Sequence, residues 1–110
     1  MEIHPSAFAN LELRVGRILE ATLNAKARTP AYKLVIDFGE HGKRQSSGQY
    51  TELYNPETLI GRQVVCAMNL GSIRIGGYES QVLVLGARSE SGAPILVGPE
   101  REAPLGAELF

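Results

Sequence analysis

A chain of 110 residues and 11.9 kDa, 44% hydrophobic and 21% charged, has the size and composition of one folded domain and not of a disordered segment. Eleven Lys and Arg against twelve Asp and Glu give a net charge of −1, which excludes a surface that binds polyanions indiscriminately but leaves room for a local basic patch. One cysteine excludes an internal disulfide and a thiolate zinc cage, and no apolar run approaches the roughly 20 residues of a membrane helix.

In chain order, Pro5 predicts one short helical turn before Leu11. Leu11, Leu13 and Val15 alternate with Glu12, Arg14 and Gly16, a half-buried strand that continues to Leu23 with its phase slipping after Gly16. A bulge or bend is expected there. Asn24 to Ala31 is a polar loop carrying Lys26 and Arg28. Tyr32 to Phe38 is a strand, Gly39 to Gly42 a turn, and Lys43 to Tyr50 a short polar extended segment. Asn55 is a helix cap, Pro56 suits the first helical position, and Glu57 the positive helix start. Leu59 and Ile60 are the expected apolar anchors, and Gly61 ends the helix.

Gln63 to Leu70 is the next strand, with Val64, Cys66 and Met68 on one side and Val65 and Ala67 on the other. Gly71 to Gly77 reads as a loop around Ile73, Arg74 and Ile75. Gln81 to Ala87 contains Val82-Leu83-Val84-Leu85, apolar on both faces and therefore expected at the centre of the sheet. Ile95 to Val97 is a last short strand, and the tail from Pro99 has no period. Three strands, one short helix, then two or three strands describe an all-β fold. A five-stranded Greek-key barrel with the helix between strands three and four is an OB-fold; an SH3-like barrel is the competing layout.

Little here suggests catalysis. His4 and His41 have no companion ligands, and Cys66 sits among strand hydrophobes with no base in view, so it reads as a core residue. Gly71 and Gly77 have phosphate-loop spacing, but Gly77-Tyr78 stands where Lys and Ser/Thr belong. Asp37 is the only aspartate. No enzyme, metal or cofactor is expected. Charge, by contrast, is lopsided. Residues 10–50 hold Arg14, Arg17, Lys26, Arg28, Lys33, Lys43 and Arg44 against four acids, and the stretch from Ser89 onward holds Arg101 against four glutamates. A groove that follows a phosphate backbone would use the first set. Tyr32, Tyr50, Tyr54 and Tyr78 could stack on bases or line the barrel rim, the latter favoured for Tyr54.

Five blocks occur in order: Leu13-Arg14-Val15-Gly16-x-Ile18; Tyr32 to Gly39; Arg44-Gln45-Ser46-Ser47-Gly48-Gln49; Tyr54-x-Pro56-Glu57-x-Leu59-Ile60-Gly61; and Asn69-Leu70 with Arg74-Ile75-x-Gly77-x-x-Ser80-x-Val82-Leu83-Val84-Leu85-Gly86. Together these resemble the stand-alone tRNA-binding-domain family across nearly the whole chain, nearest to its CsaA type of export-related chaperone. The resemblance implies a single OB-fold domain over residues 1–110, forming a cytoplasmic homodimer that grips tRNA or similar structured RNA. Its alternative is binding of unfolded or presecretory polypeptide. By position it implies RNA-facing roles for Lys33, Arg44, Gln45, Ser46, Arg74 and Ser80. Two stretches differ from the family pattern: Gly71-Ser72-Ile73, where CsaA-type chains carry prolines and a basic residue, and Val82-Leu83, where appended domains carry Gly-Met. The apolar tail residues Leu105, Leu109 and Phe110, with Ile3 and Phe8, are the expected dimer contacts.

Overall fold

The structure is a computed structural model that describes residues 1–110. Its α-helices are two single turns, α1 (Ser6–Ala9) and α2 (Pro56–Leu59), and Gly39–His41 form a 3-10 turn. The strands are β1 (Leu13–Leu23), β2 (Tyr32–Asp37), β3 (Lys43–Gly48), β4 (Gln63–Ala67), β5 (Ile73–Ile75), β6 (Tyr78–Ser80), β7 (Leu83–Val84), β8 (Gly86–Arg88) and β9 (Pro94–Leu96). Five of them form an antiparallel sheet in the order β3-β2-β1-β4-β7, which curls into a nearly closed, OB-like barrel. The remaining four form two hairpins, β5–β6 and β8–β9.

The long strand β1 serves two partners. Leu13 to Arg17 pair with β4, and Arg17 to Leu23 pair with β2. The register slips between Ile18 and Glu20, so the bulge falls at Leu19 and not at Gly16. Gly16 has another reason to lack a side chain: a Cβ there would lie 2.6 Å from Ile36 Cγ2 and from the Phe38 ring. The strands alternate as expected, and Ile18, Leu34, Ile36, Phe38, Val64 and Cys66 fill the barrel with no exposed surface. Burial pushes the Cys66 thiol up to about 12.

Helix α2 packs on the barrel through Leu59, which joins the core cluster. Asn55 Oδ1 accepts from the Thr58 amide at 3.0 Å while Thr58 Oγ1 accepts from the Asn55 amide at 3.1 Å, a reciprocal cap. Leu59 alone anchors it; Ile60, expected beside it, is half exposed.

Two further expectations are corrected. The segment 81–87 is not central: it breaks into β7 and β8, β7 lies at the sheet's end, and Leu83 is 52% exposed. Its two apolar faces serve different clusters, Val82 and Val84 inside the barrel and Leu85 outside it, against Leu13, Val65 and Ala67. Gly71 to Gly77 is not a plain loop, because Ile73 to Ile75 and Tyr78 to Ser80 pair as a hairpin. The tail, which shows no period in the sequence, pairs with the barrel. The Val15 amide donates to Ala107, and the Gly106 and Leu109 amides donate to Val15 and Leu13, so the tail lies along the β1 edge that β2 leaves open. Arg14 donates to the Gly106 carbonyl at 2.9 Å, and Arg17 grips both Glu102 oxygens at 2.6 and 2.7 Å. Leu109 packs on the outer cluster, and Phe110 projects fully exposed.

Candidate nucleic-acid interface

The β5–β6 hairpin turns through Gly76 and Gly77, both at positive φ (55° and 79°), which glycine adopts without strain. It docks on the 24–31 loop. Asn24 is 2% exposed, donates from Nδ2 to the Ile75 carbonyl at 2.8 Å, and accepts the Lys26 amide at Oδ1. A Cβ on Gly76 would lie 2.7 Å from the Ala27 nitrogen, so the two segments touch backbone to backbone.

Between them opens a cleft of about 410 Å³ above the end of β3. Lys26, Arg28 and Arg74 line it, with Thr29, Ser47 and Gln49. No carboxylate lines it. Glu79 stands opposite Arg74 in the hairpin but forms no ion pair with it; its carboxylate accepts from Ser72 Oγ at 3.4 Å. Arg74 donates one nitrogen to the Gly77 carbonyl at 2.8 Å, which aims the guanidinium and leaves its other donors free. Lys33, paired in register with the cleft residue Ser47, sits 5.6 Å over the Tyr78 ring.

The other residues implied by the resemblance lie elsewhere. Ser46 is 1% exposed and Ser80 is 8% exposed. Ser46 Oγ donates to the Val82 carbonyl at 2.7 Å, and Ser80 Oγ accepts the Ser47 amide at 3.0 Å. Gln45 exchanges bonds with Gln81: its amide donates to Gln81 Oε1, and its carbonyl accepts the Gln81 amide, both at 2.8 Å. These three residues stitch β3 to the segment 80–82 where the barrel closes, so the hydroxyls of Ser46 and Ser80 face inward. Arg44 pairs in register with the core residue Ile36, is half-buried, and lies outside the cleft. Of the six, the structure brings Arg74 together with Lys26 and Arg28, with Lys33 on the neighbouring strand over Tyr78.

Arg14 and Arg17, counted with the basic stretch, carry carboxylate partners, Glu12 at 2.7 Å and Glu102 at 2.6 Å. The tyrosines are framework. Tyr32 donates to the Tyr54 carbonyl, Tyr50 to Val84 and Tyr78 to Leu34, and the Tyr54 hydroxyl accepts the Leu96 amide. The Tyr78 hydroxyl is pushed above its ordinary value by burial and then by the nearby Glu20 charge. No group of three His, Cys, Asp or Glu side chains converges as metal ligands would. Chemically, the cleft offers fixed cations and hydrogen-bond donors to an anion.

Residues 13–108 match the family model described as "Putative tRNA binding domain". Among curated proteins, the methionine–tRNA ligase of Methanothrix thermoacetophila is 40% identical over 102 residues, 93% of this chain and 15% of the ligase. The chain thus spans about 15% of the length of the curated relative it matches. Among solved structures, the chaperone CsaA of Bacillus anthracis str. Ames aligns over 100% of both chains at 43% identity with a TM-score of 0.94. A MetRS related protein from Pyrococcus horikoshii aligns over 100% of both chains at 28% identity, with a TM-score of 0.87.

Proposed function

The chain belongs to the tRNA-binding-domain family, and on that premise we propose that it acts without catalysis, holding tRNA or similarly structured RNA by its phosphate backbone. The observation that supports this reading is the cleft: Lys26, Arg28 and Arg74 converge with no carboxylate in a chain whose net charge is −1. A folded RNA brings several phosphates within reach of such a set, and each neutralised phosphate releases counterions. Lys33 extends the basic surface along β2, and Gln49 and Thr29 supply neutral polar groups for ribose or phosphate. Such a protein would work in the cytoplasm, where tRNA is.

Titrating labelled tRNA at 50 and 200 mM salt tests this. The wild-type chain should weaken steeply. The triple variant Lys26→Ala/Arg28→Ala/Arg74→Ala should lose affinity and shed roughly 0.7–0.9 from the log–log slope for each phosphate it no longer neutralises. An unchanged slope in the triple variant rejects the cleft as the RNA site.

A second reading has support of its own. The similarity to chaperone CsaA extends over the full chain, and Ile3, Phe8 and Phe110 present large apolar groups to solvent at 69%, 51% and 108% exposure. We propose that these groups serve a homodimer, and that the dimer also receives unfolded polypeptide. Sedimentation at micromolar concentration decides the first point, and a monomer there removes it. Polypeptide binding should persist at salt concentrations that abolish RNA binding.

A further inference from the structure

The basic cleft does not end at β3. It continues into a groove of about 400 Å³ between the β5–β6 and β8–β9 hairpins, and the two share Ser47, Gln49 and Ile75 as lining. The groove is apolar where the cleft is charged. Ile73 and Leu83 stand in its walls at 64% and 52% exposure, two large aliphatic side chains held in water by short strands. Its one charged residue is Arg88, and no carboxylate lines it. Two adjoining hollows thus carry four cations and no anion, in a chain with twelve carboxylates.

At their junction Ser47 Oγ is buried and has no hydrogen-bond partner. A buried hydroxyl without a partner is costly, and a rotation about χ1 toward the groove would bring it to a ligand edge bearing a donor or acceptor. Gln49, exposed beside it, offers both an amide donor and a carbonyl acceptor. The combination asks for an anion joined to a flat, apolar body with a polar edge.

We propose that the groove is a subsite for one unpaired base of the bound RNA, turned out of its stack, with the adjoining phosphate in the basic cleft. This rests on the RNA-binding reading and sharpens it. The phosphate contacts position the RNA, and the base in the groove selects folds that present a splayed nucleotide. The base lies against Ile73 and Leu83, because the ring of Tyr50 forms the groove floor and is 5% exposed.

The test uses the full chain and three probes: tRNA, a blunt RNA duplex, and the same duplex with a single-nucleotide bulge bearing 2-aminopurine. The bulged duplex should bind at least about 5-fold more tightly than the blunt one, with a change in 2-aminopurine emission. Ile73→Ser and Leu83→Ser, two separate changes at exposed positions, should each erase that preference while leaving the salt slope and the melting curve intact. Equal binding of blunt and bulged duplexes, with tRNA bound in a salt-dependent way, overturns the subsite and leaves the RNA reading standing. Salt-independent or absent binding of all three RNAs overturns both. If the Ser variants lose binding of an unfolded polypeptide and keep the bulge preference, the groove is a peptide site and the proposal falls.

Discussion

Ser46 Oγ and the carbonyl oxygen of Val82 lie 2.7 Å apart, a side-chain bond at the seam where β3 meets the last part of the barrel. Gln81 Oε1 and Ser80 Oγ serve the neighbouring amides of Gln45 and Ser47 in the same manner. The barrel therefore closes through three side-chain bonds beside the one backbone bond from the Gln81 amide to the Gln45 carbonyl, where a regular ladder would use backbone groups alone. Ser46→Ala leaves the Val82 carbonyl without this donor and should cost about 1–3 kcal/mol, read as a lower urea midpoint at unchanged m-value. Its RNA affinity at low salt should stay within twofold of wild type, the outcome that separates a seam residue from an RNA contact.

The cleft between the hairpin and the 24–31 loop keeps its shape only while their backbones touch at Gly76. Gly76→Ala places a Cβ against the Ala27 nitrogen and adds a disfavoured positive φ of 55°. RNA binding should fall several-fold. Gly77→Asn is the control: its φ of 79° suits Asn better than other side chains, and a Cβ there meets nothing within 4 Å. It should bind like wild type.

Arg17 should behave unlike the cleft cations. Its guanidinium holds both oxygens of Glu102 and one nitrogen donates to the Gly61 carbonyl at 2.9 Å. The pair is partly exposed, so Arg17→Ala should cost only about 0.5 kcal/mol in a thermal melt. The slope of log K against log salt for tRNA should not change, whereas Arg74→Ala makes it shallower.

Alkaline pH should loosen the barrel through Cys66. Below its ordinary value of 9.0 both folded and unfolded chains keep the thiol proton, and its contribution is intact. Above that the unfolded thiol ionises first, and stability falls by ~1.4 kcal/mol per pH unit until the buried thiol itself ionises near 12. Tyr50, pushed from 10.0 to about 12 by burial and by Cys66 and Tyr54, joins one unit later. Cys66→Ala should cost about 1 kcal/mol at pH 7 and abolish the decline between pH 9 and 10, followed by urea midpoints at each pH.

The barrel was legible because its strands alternate and its helix begins with Asn55-Pro56-Glu57. The cleft was only half legible. Lys26 and Arg28 appeared as members of a basic stretch, but nothing local says that they face Arg74, some fifty residues on. The link is Asn24 reaching the Ile75 carbonyl, a tertiary bond with no local pattern. A signal did exist in Gly76-Gly77 between Ile73-x-Ile75 and Tyr78-x-Ser80, two-residue hairpin chemistry that reads as a loop if only hydrophobic runs are followed. Ser46 and Ser80 show the opposite case, residues whose burial the sequence conceals. They are polar residues at barrel-facing positions, and alternation in β3 conceals this because Lys43 to Gly48 contains no aliphatic residue to mark the inner side. The tail hid its pairing because it joins β1 through three backbone bonds and one isolated bridge, too few to impose a period.

The uneven placement of charge also bears on how a polyanion arrives. Outside the two hollows the chain is a net acid, with seven Lys and Arg against twelve Asp and Glu, and Arg14, Arg17 and Arg101 are each paired with a glutamate. Seen from a distance beyond the Debye length, the protein neither attracts nor repels an RNA appreciably. Within that distance the cations of the cleft pull and the carboxylates elsewhere push, so the approaching molecule feels a torque before it touches the surface. Encounter is thereby biased toward the cleft, so a surface that is weak as an attractor still acts as a compass. Reversing a tail charge, as in Glu108→Lys, should therefore scramble arrival and slow productive association at low salt, while the dissociation rate stays as it was.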